Sequence, residues 1–159
     1  MTILCALNEI ASQQAAPTEK TMERVNTFLD YMATHPRAVI RYYVSGMVLN
    51  VHSDASYLTA PKARSRAGGH FFLDSIPKDG CPIRLNGAIL TQCAILKCVA
   101  ASAAGAELGA LFLNAMDAKI LRLTLMGMGH PQPPTPIHVD NTTAVESSTT
   151  LSRGSAHVP

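Results

Sequence analysis

The chain has 159 residues, of which 47% are hydrophobic, and this is enough for one domain with its own core. Tryptophan is absent, so the core must be largely aliphatic. The net charge is only +2, which by itself does not indicate a protein that binds nucleic acid.

The cysteine and apolar patterns argue against secreted disulfide-rich proteins and membrane proteins. The four cysteines lack C-x-x-C spacing and indicate thiols in a reducing compartment; they are Cys5, Cys81, Cys93 and Cys98. The apolar run at residues 3–7 lacks a basic leader and predicts no signal peptide. Glu107 interrupts the apolar stretch of residues 100–116, which therefore predicts no membrane span. We expect an intracellular protein without a membrane partner.

Two helices are predicted within residues 1–34, separated near Pro17 or Thr18. Apolar residues recur at helical spacing along the second one, at Met22, Val25, Phe28, Leu29 and Met32. His35 ends this helix, because the residue before a proline avoids the helical region. The apolar stripe is typical of packing rather than of a functional site.

The middle of the chain predicts strands. Residues 38–43 are β-prone, and the first clear strand is residues 47–57. Alternation along that strand places Val48, Asn50, His52 and Asp54 on one face and Met47, Leu49 and Val51 on the other. Second and third strands are predicted at residues 67–73 and 83–90.

The second and third predicted strands each contain glycine, which allows another role for that part of the strand. Gly68 and Gly69 could let a ligand approach the backbone of the second strand closely. Asn86 and Gly87, inside the third, could instead form a hairpin turn.

A long helix is predicted over residues 103–125, with Ser102 as its N-cap. Gly127 and Gly129 end it. A fourth strand follows at residues 135–139. The last residues are rich in serine and threonine without apolar periodicity, which predicts disorder over 145–159.

Three carboxylates stand at the ends of these elements. Asp54 lies near the end of the first strand, Glu107 near the start of the long helix, and Asp140 after the fourth strand. Carboxylate oxygens are the ligands that hard divalent cations prefer, so this placement favours a metal site. The alternative is that Asp54 merely opens a turn.

Basic and histidine side chains are the remaining candidates. Lys62, Arg64 and Arg66 cluster after the first strand, and they indicate either a phosphate-binding surface or a solvated basic loop. The histidines have no metal-ligand spacing and are interpreted as scattered; they include His52, His70, His130 and His138.

Four blocks of this sequence resemble the ribonuclease H domain of copia-type retrotransposon polyproteins. They are VHSDASY at Val51–Tyr57, RSRAGGHFFL at Arg64–Leu73, VAASAAGAEL at Val99–Leu108 and IHVDNTTA at Ile137–Ala144. The blocks occur in the family's order and cover roughly residues 1–144 with their surroundings. The resemblance implies an α/β fold, a ribonuclease H-like mixed sheet with flanking helices, incomplete at the C-terminus.

The same resemblance implies a function. Asp54, Glu107 and Asp140 would hold two Mg²⁺ ions, or Mn²⁺ in their place, and cleave the RNA strand of an RNA–DNA hybrid. Lys62, Arg64, Arg66 and Asn141 would contact the nucleic acid. The rest of a reverse transcriptase polyprotein is a possible further partner.

The resemblance also divides the chain and reveals departures from the family. Residues 1–45 correspond to the end of the reverse transcriptase region, residues 46–144 to a truncated ribonuclease H-like domain, and residues 145–159 to a non-family tail. The family's fourth acid has no counterpart, and Gly105 stands where the family has a glutamate that completes the helix cap. The alternative function is therefore an inactive retroelement remnant with weak nucleic-acid binding.

Overall fold

The α1–α2 hairpin forms the first of two units in a computed structural model that describes residues 3–76 and 85–140. α1 spans Ile3–Ser12 and α2 spans Glu19–Thr34, so the predicted pair of helices and their separation are confirmed. The side chain of Thr18 caps α2 by accepting a hydrogen bond from the Thr21 backbone N–H, and Thr21 Oγ1 accepts from the Thr18 N–H in return. This unit ends at Ile40.

The second unit, from Arg41 onward, is built on a mixed four-stranded sheet with one long helix. Its strands are β1 (Val48–Ala60), β2 (Arg64–Asp74), β3 (Ala88–Ile95) and β4 (Ile137–His138). Their order in the sheet is β3-β2-β1-β4, with β4 parallel to β1 and the other pairs antiparallel. The chain is therefore α/β, and the first, second and fourth predicted strands are found.

α3 spans Ala103–Gly127 and covers one face of the sheet. Its inner side packs on alternate residues of β1 and β2, in a core cluster of Leu49, Val51, Phe71, Ala118 and Leu125. These strand residues face α3 because side chains alternate along a strand. The predicted two faces of β1 are thus confirmed. No helix in the described part of the chain is long and apolar enough to cross a membrane.

The predicted ends of α3 are confirmed. Ser102 Oγ accepts a hydrogen bond from the Gly105 N–H at 3.0 Å. At the other end, Gly129 adopts φ +88°, a left-handed conformation that glycine tolerates, and the His130 N–H returns to the Leu125 carbonyl.

The third strand differs from its prediction. β3 begins at Ala88 and continues to Ile95, whereas residues 83–90 were predicted, and residues 83–84 lie outside the described part of the chain. Asn86 and Gly87 form no hairpin turn but precede the strand. Residues 91–95 lack the alternation of apolar and polar residues that predicts a strand, and their strand conformation depends on pairing with β2.

The β-prone segment 38–43 is not a strand. Its backbone pairs with a side chain instead: Asn86 Oδ1 accepts from the Tyr43 N–H at 2.8 Å, and Asn86 Nδ2 donates to the Tyr43 carbonyl at 3.0 Å. Asn86 Nδ2 also donates to the Leu73 carbonyl at 2.7 Å. One asparagine thus fastens the backbone of Tyr43 to the end of β2.

Hydrogen bonds of Arg122 and Gln132, called here the Arg122–Gln132 clamp, hold the segment before β4 against α3 and β1. Arg122 of α3 donates to the carbonyls of Gln132 and Pro133. The Gln132 side chain in turn accepts from the Leu49 N–H at 3.0 Å and donates to the Met47 carbonyl at 2.8 Å. β4 is shorter than the predicted 135–139, because Gln132 rather than a longer strand satisfies the start of β1.

Gly69 serves packing within the fold and not the approach of a ligand. A Cβ at this position would collide with the Oδ1 atom of Asn114 and would lie 2.9 Å from the Phe71 ring. Asn114 is fully buried on α3, and its Nδ2 donates to Ser53 Oγ and the Gly68 carbonyl, both at 2.8 Å. Gly69 therefore makes room for the polar contact that joins α3 to β1 and β2.

Gly69→Ala should lower the free energy of unfolding by about 1–3 kcal/mol, because overpacking a buried site forces neighbours to shift. Urea denaturation of the full chain measures the change. Gly127→Ala is the matched control, since a Cβ there meets nothing within 4 Å and the change should not destabilise the protein. Equal stability of Gly69→Ala and the wild type would contradict this account of Gly69.

Gly105→Glu should raise the free energy of unfolding by about 1–2 kcal/mol, because it adds a better helix former and a reciprocal partner for the Ser102 cap. A Cβ at Gly105 would lie 3.4 Å from Ser102 Oγ, an ordinary contact. Gly105→Ala, measured in the same urea titration, should give only the propensity part, about 0.5–1 kcal/mol. A glutamate no better than alanine would show that the capping box does not form.

Candidate metal centre

The site lies at the edge of β1 just beyond the end of β4. β4 pairs with β1 only through Ile137 and His138, opposite Val51 and His52. Beyond this point the β1 edge has no strand beside it among the described residues. Asp54 lies here, exposed and inside β1, so it does not open a turn.

Glu107 of α3 occupies the place that a longer β4 would have filled. Its Oε1 accepts a hydrogen bond from the Ala55 N–H at 3.2 Å. That N–H points away from β2, to the same side as the Val51 N–H that bonds the Pro136 carbonyl. A carboxylate thus satisfies a backbone group that would otherwise lack a partner in the sheet.

The second oxygen of Glu107 is the most informative atom of the site. Glu107 is 7% exposed, and its Oε2 is buried without a hydrogen-bond partner. Burial raises the pKa of Glu107, and the charges of Asp54 and Asp140 add to this, while the hydrogen bond from Ala55 opposes it. An unsatisfied buried carboxylate oxygen is costly unless a cation or a proton occupies it.

Asp140 completes a group of three. It follows β4 directly and is exposed. Asp54, Glu107 and Asp140 each offer a carboxylate oxygen, and these oxygens all lie within 4.8 Å of one another. The three acids chosen from the sequence are therefore brought together, and they form the one group of three or more potential metal ligands within residues 3–76 and 85–140. This group could hold a divalent metal ion.

The residues predicted to contact nucleic acid differ in their exposure to solvent. Lys62 is exposed in the tight turn between β1 and β2, and Arg64 is partly exposed at the start of β2. Arg66 is only 4% exposed, so its guanidinium does not face solvent as the Lys62 ammonium does. Asn141 lies outside the described residues, as does the predicted disordered tail.

The histidines are not all scattered. Strand register sets His52 directly beside His138 of β4 and opposite His70 of β2, all on the sheet face away from α3. The rings of His52 and His138 lie 5.0 Å apart between centroids. Burial lowers the pKa of both, and the neighbouring histidines lower that of His52 further.

One signal in the sequence could have revealed this pair. The pattern His-x-Asp occurs twice, at His52–Asp54 and at His138–Asp140. Residues i and i+2 of a strand lie on the same face of the sheet, as the histidine and the aspartate of each pattern do. If both segments are neighbouring parallel strands and the two aspartates lie side by side, the two histidines, two residues earlier in each strand, also lie side by side.

Comparisons of the chain with protein-family models, with curated proteins and with solved structures find no match. The function therefore has to be argued from the site and from the sequence blocks that compose it.

Glu107→Gln should change how stability depends on pH. Because burial raises the Glu107 pKa above its ordinary 4.5, the folded protein holds this proton more tightly than the unfolded chain does. The stability it contributes is complete below pH 4.5 and is lost as the pH rises through the raised pKa. Glutamine has no proton to lose. Without divalent ions, the free energy of unfolding of the variant should therefore rise relative to that of the wild type as the pH rises. Urea titrations from pH 4.5 to 8 in a chelator test this; a stability difference independent of pH would contradict it.

Proposed function

We propose that this protein is a ribonuclease H-like domain whose site binds divalent metal ions and cleaves the RNA strand of an RNA–DNA hybrid. The observation that carries the proposal is the convergence of three carboxylates, with oxygens within 4.8 Å of one another, one of which belongs to the buried Glu107. All three belong to the sequence blocks that resemble copia-type ribonuclease H domains.

The architecture supports the proposal without deciding it. An antiparallel β1–β2–β3 sheet, a parallel fourth strand beside β1 and a helix across one face are compatible with a ribonuclease H-like fold. This arrangement explains why residues far apart in sequence meet. The parallel pairing brings Asp54, in the middle of β1, and Asp140, just after β4, to one edge, and α3 brings Glu107 to the same edge.

The acids fit a hard cation. Asp54 and Asp140 are exposed and Glu107 is buried, so the group is open to solvent and substrate on one side only. We expect Mg²⁺, or Mn²⁺ in its place, because both prefer oxygen ligands. Bound ions would supply the positive charge that activates water and stabilises a leaving oxygen. The residues themselves contribute fixed ligand positions, with Glu107 oriented by the Ala55 N–H.

The resemblance supplies the proposed substrate class, and an exposed cation near the site is consistent with it. The β1–β2 turn places Lys62 in solvent at the end of the strand that carries Asp54. Exposed lysines bind phosphate backbones, and such binding weakens as salt concentration rises. We infer that the Lys62 turn contacts the backbone of the hybrid while the carboxylates face the scissile phosphate.

A second candidate function is hybrid binding without cleavage. Within the described residues three acids converge, and Asp117 does not join them. It lies ten residues beyond Glu107 on α3, about 15 Å along the helix axis. The specific observation behind this alternative is that three acids, rather than four, converge among the described residues. Three ligands hold a pair of ions less firmly than four, so weak ion binding is expected.

Asp54→Asn should abolish cleavage of a labelled RNA–DNA hybrid in Mg²⁺ or Mn²⁺, because it removes one metal-binding charge. Cleavage by the full chain is measured on a denaturing gel, with the all-DNA duplex as the substrate control. Asp117→Asn is the matched variant, since it removes a carboxylate from α3 outside the site, and it should retain wild-type cleavage.

The outcomes separate the two candidate functions. Cleavage lost only in Asp54→Asn supports the nuclease. Salt-sensitive hybrid binding without cleavage, by a folded wild-type chain in both metals, supports the binding function. Cleavage that survives in Asp54→Asn would overturn the assignment of this site.

A further inference from the structure

The imidazoles of His52 and His138 form a second constellation on the sheet face away from α3. The two residues are register partners on the parallel strands β1 and β4. Each has its Nε2 atom buried without a hydrogen-bond partner. Two neighbouring ring nitrogens, both removed from water and both unpaired, are unusual, because buried polar atoms are normally hydrogen-bonded.

The spacing of the rings suits one shared ion. Zinc binds imidazole nitrogen at about 2.0–2.1 Å, and two imidazoles at a tetrahedral angle around it have their centroids about 5 Å apart. The observed separation is 5.0 Å, with the ring planes tilted by 35°. Adjacent strands are about 4.8 Å apart, so the sheet itself sets this spacing.

We propose that His52 and His138 bind a divalent cation of the zinc class through their Nε2 atoms. Imidazole nitrogen selects zinc-like ions over Mg²⁺, whereas the carboxylates one step further along both strands select Mg²⁺ or Mn²⁺. The two sites therefore take different ions. The binding of zinc does not depend on whether the carboxylate group supports hybrid cleavage.

The neighbours of the pair define its coordination. His70, opposite His52 on β2, has its Nε2 engaged with the Asn86 carbonyl at 3.3 Å, so it is not counted as a ligand. The Phe72 ring stacks on His52 with centroids 5.6 Å apart and fixes its plane. The Nε2 atoms are buried but both rings are partly exposed, so water would complete the coordination from the exposed side of the rings. Two protein ligands and water make an exchangeable site rather than a closed structural one.

Binding would also tie two strands together. β4 pairs with β1 over only two residues, and one of those residues is His138. An ion shared by His52 and His138 bridges the same two strands in the folded protein. The unfolded chain lacks this arrangement, so zinc should raise the melting temperature.

The test is a Zn²⁺ titration of the full chain followed by ¹⁵N NMR of the imidazole nitrogens, which identifies the ligand atoms directly. The Nε2 signals of His52 and His138 should shift together and saturate at one equivalent, and Mg²⁺ should leave them in place. His138→Gln should weaken zinc binding by about tenfold or more and remove the zinc-dependent rise in melting temperature. His130→Gln is the control and should bind zinc as the wild type does.

Asp54→Asn distinguishes this site from the carboxylates. Zinc binding retained in that variant supports the histidine pair even if hybrid cleavage is lost or was never present. Imidazole signals unmoved by zinc, or zinc binding lost in Asp54→Asn while His138→Gln retains it, would overturn the proposal. Circular dichroism of each variant establishes that it is folded before its result is counted.

Discussion

The hydrogen bond from the Ala55 N–H to Glu107 Oε1 is the contact on which the candidate metal centre depends. It exists because β4 stops at His138 and leaves the next N–H of β1 without a strand partner. A buried backbone donor needs a partner, and here a helix side chain provides one. The same bond fixes one oxygen of Glu107, and the other oxygen is buried without a hydrogen-bond partner. One hydrogen bond thus both satisfies the open edge of β1 and positions the Glu107 carboxylate as a metal ligand.

Burial and the neighbouring negative charges both oppose ionisation of Glu107. Without a cation, the protein holds three acids together and buries one of them, which disfavours the charged form of Glu107. The Arg122–Gln132 clamp and the buried Asn114 hold the supporting elements in place, so the acids do not relax apart. Such tension between fold and ionised groups is common at functional sites.

The sequence predicted β1 and α3 because their signals are local. β1 is rich in apolar residues whose side chains alternate between two faces, and α3 has a Ser102 cap and terminal glycines. It failed where the backbone is satisfied by a distant side chain: Asn86 holds the segment around Tyr43, which therefore is not a strand. The three acids were found because each was predicted near the start or end of an element, although β1 in fact continues past Asp54 to Ala60. The His52–His138 pair was missed because register across parallel strands is not local information. The burial of Arg66 was missed for a similar reason, since a charged residue gives no sign of it.

The role of Asn86 has a consequence for chemical ageing. An asparagine followed by glycine, as Asn86 is by Gly87, belongs to the sequence context most prone to deamidation. Its Nδ2 donates to two carbonyls, those of Tyr43 and Leu73. Deamidation would replace this donor by a carboxylate oxygen, which repels both carbonyls instead of binding them. Deamidation would therefore remove both of these contacts between the segment before β1 and the end of β2.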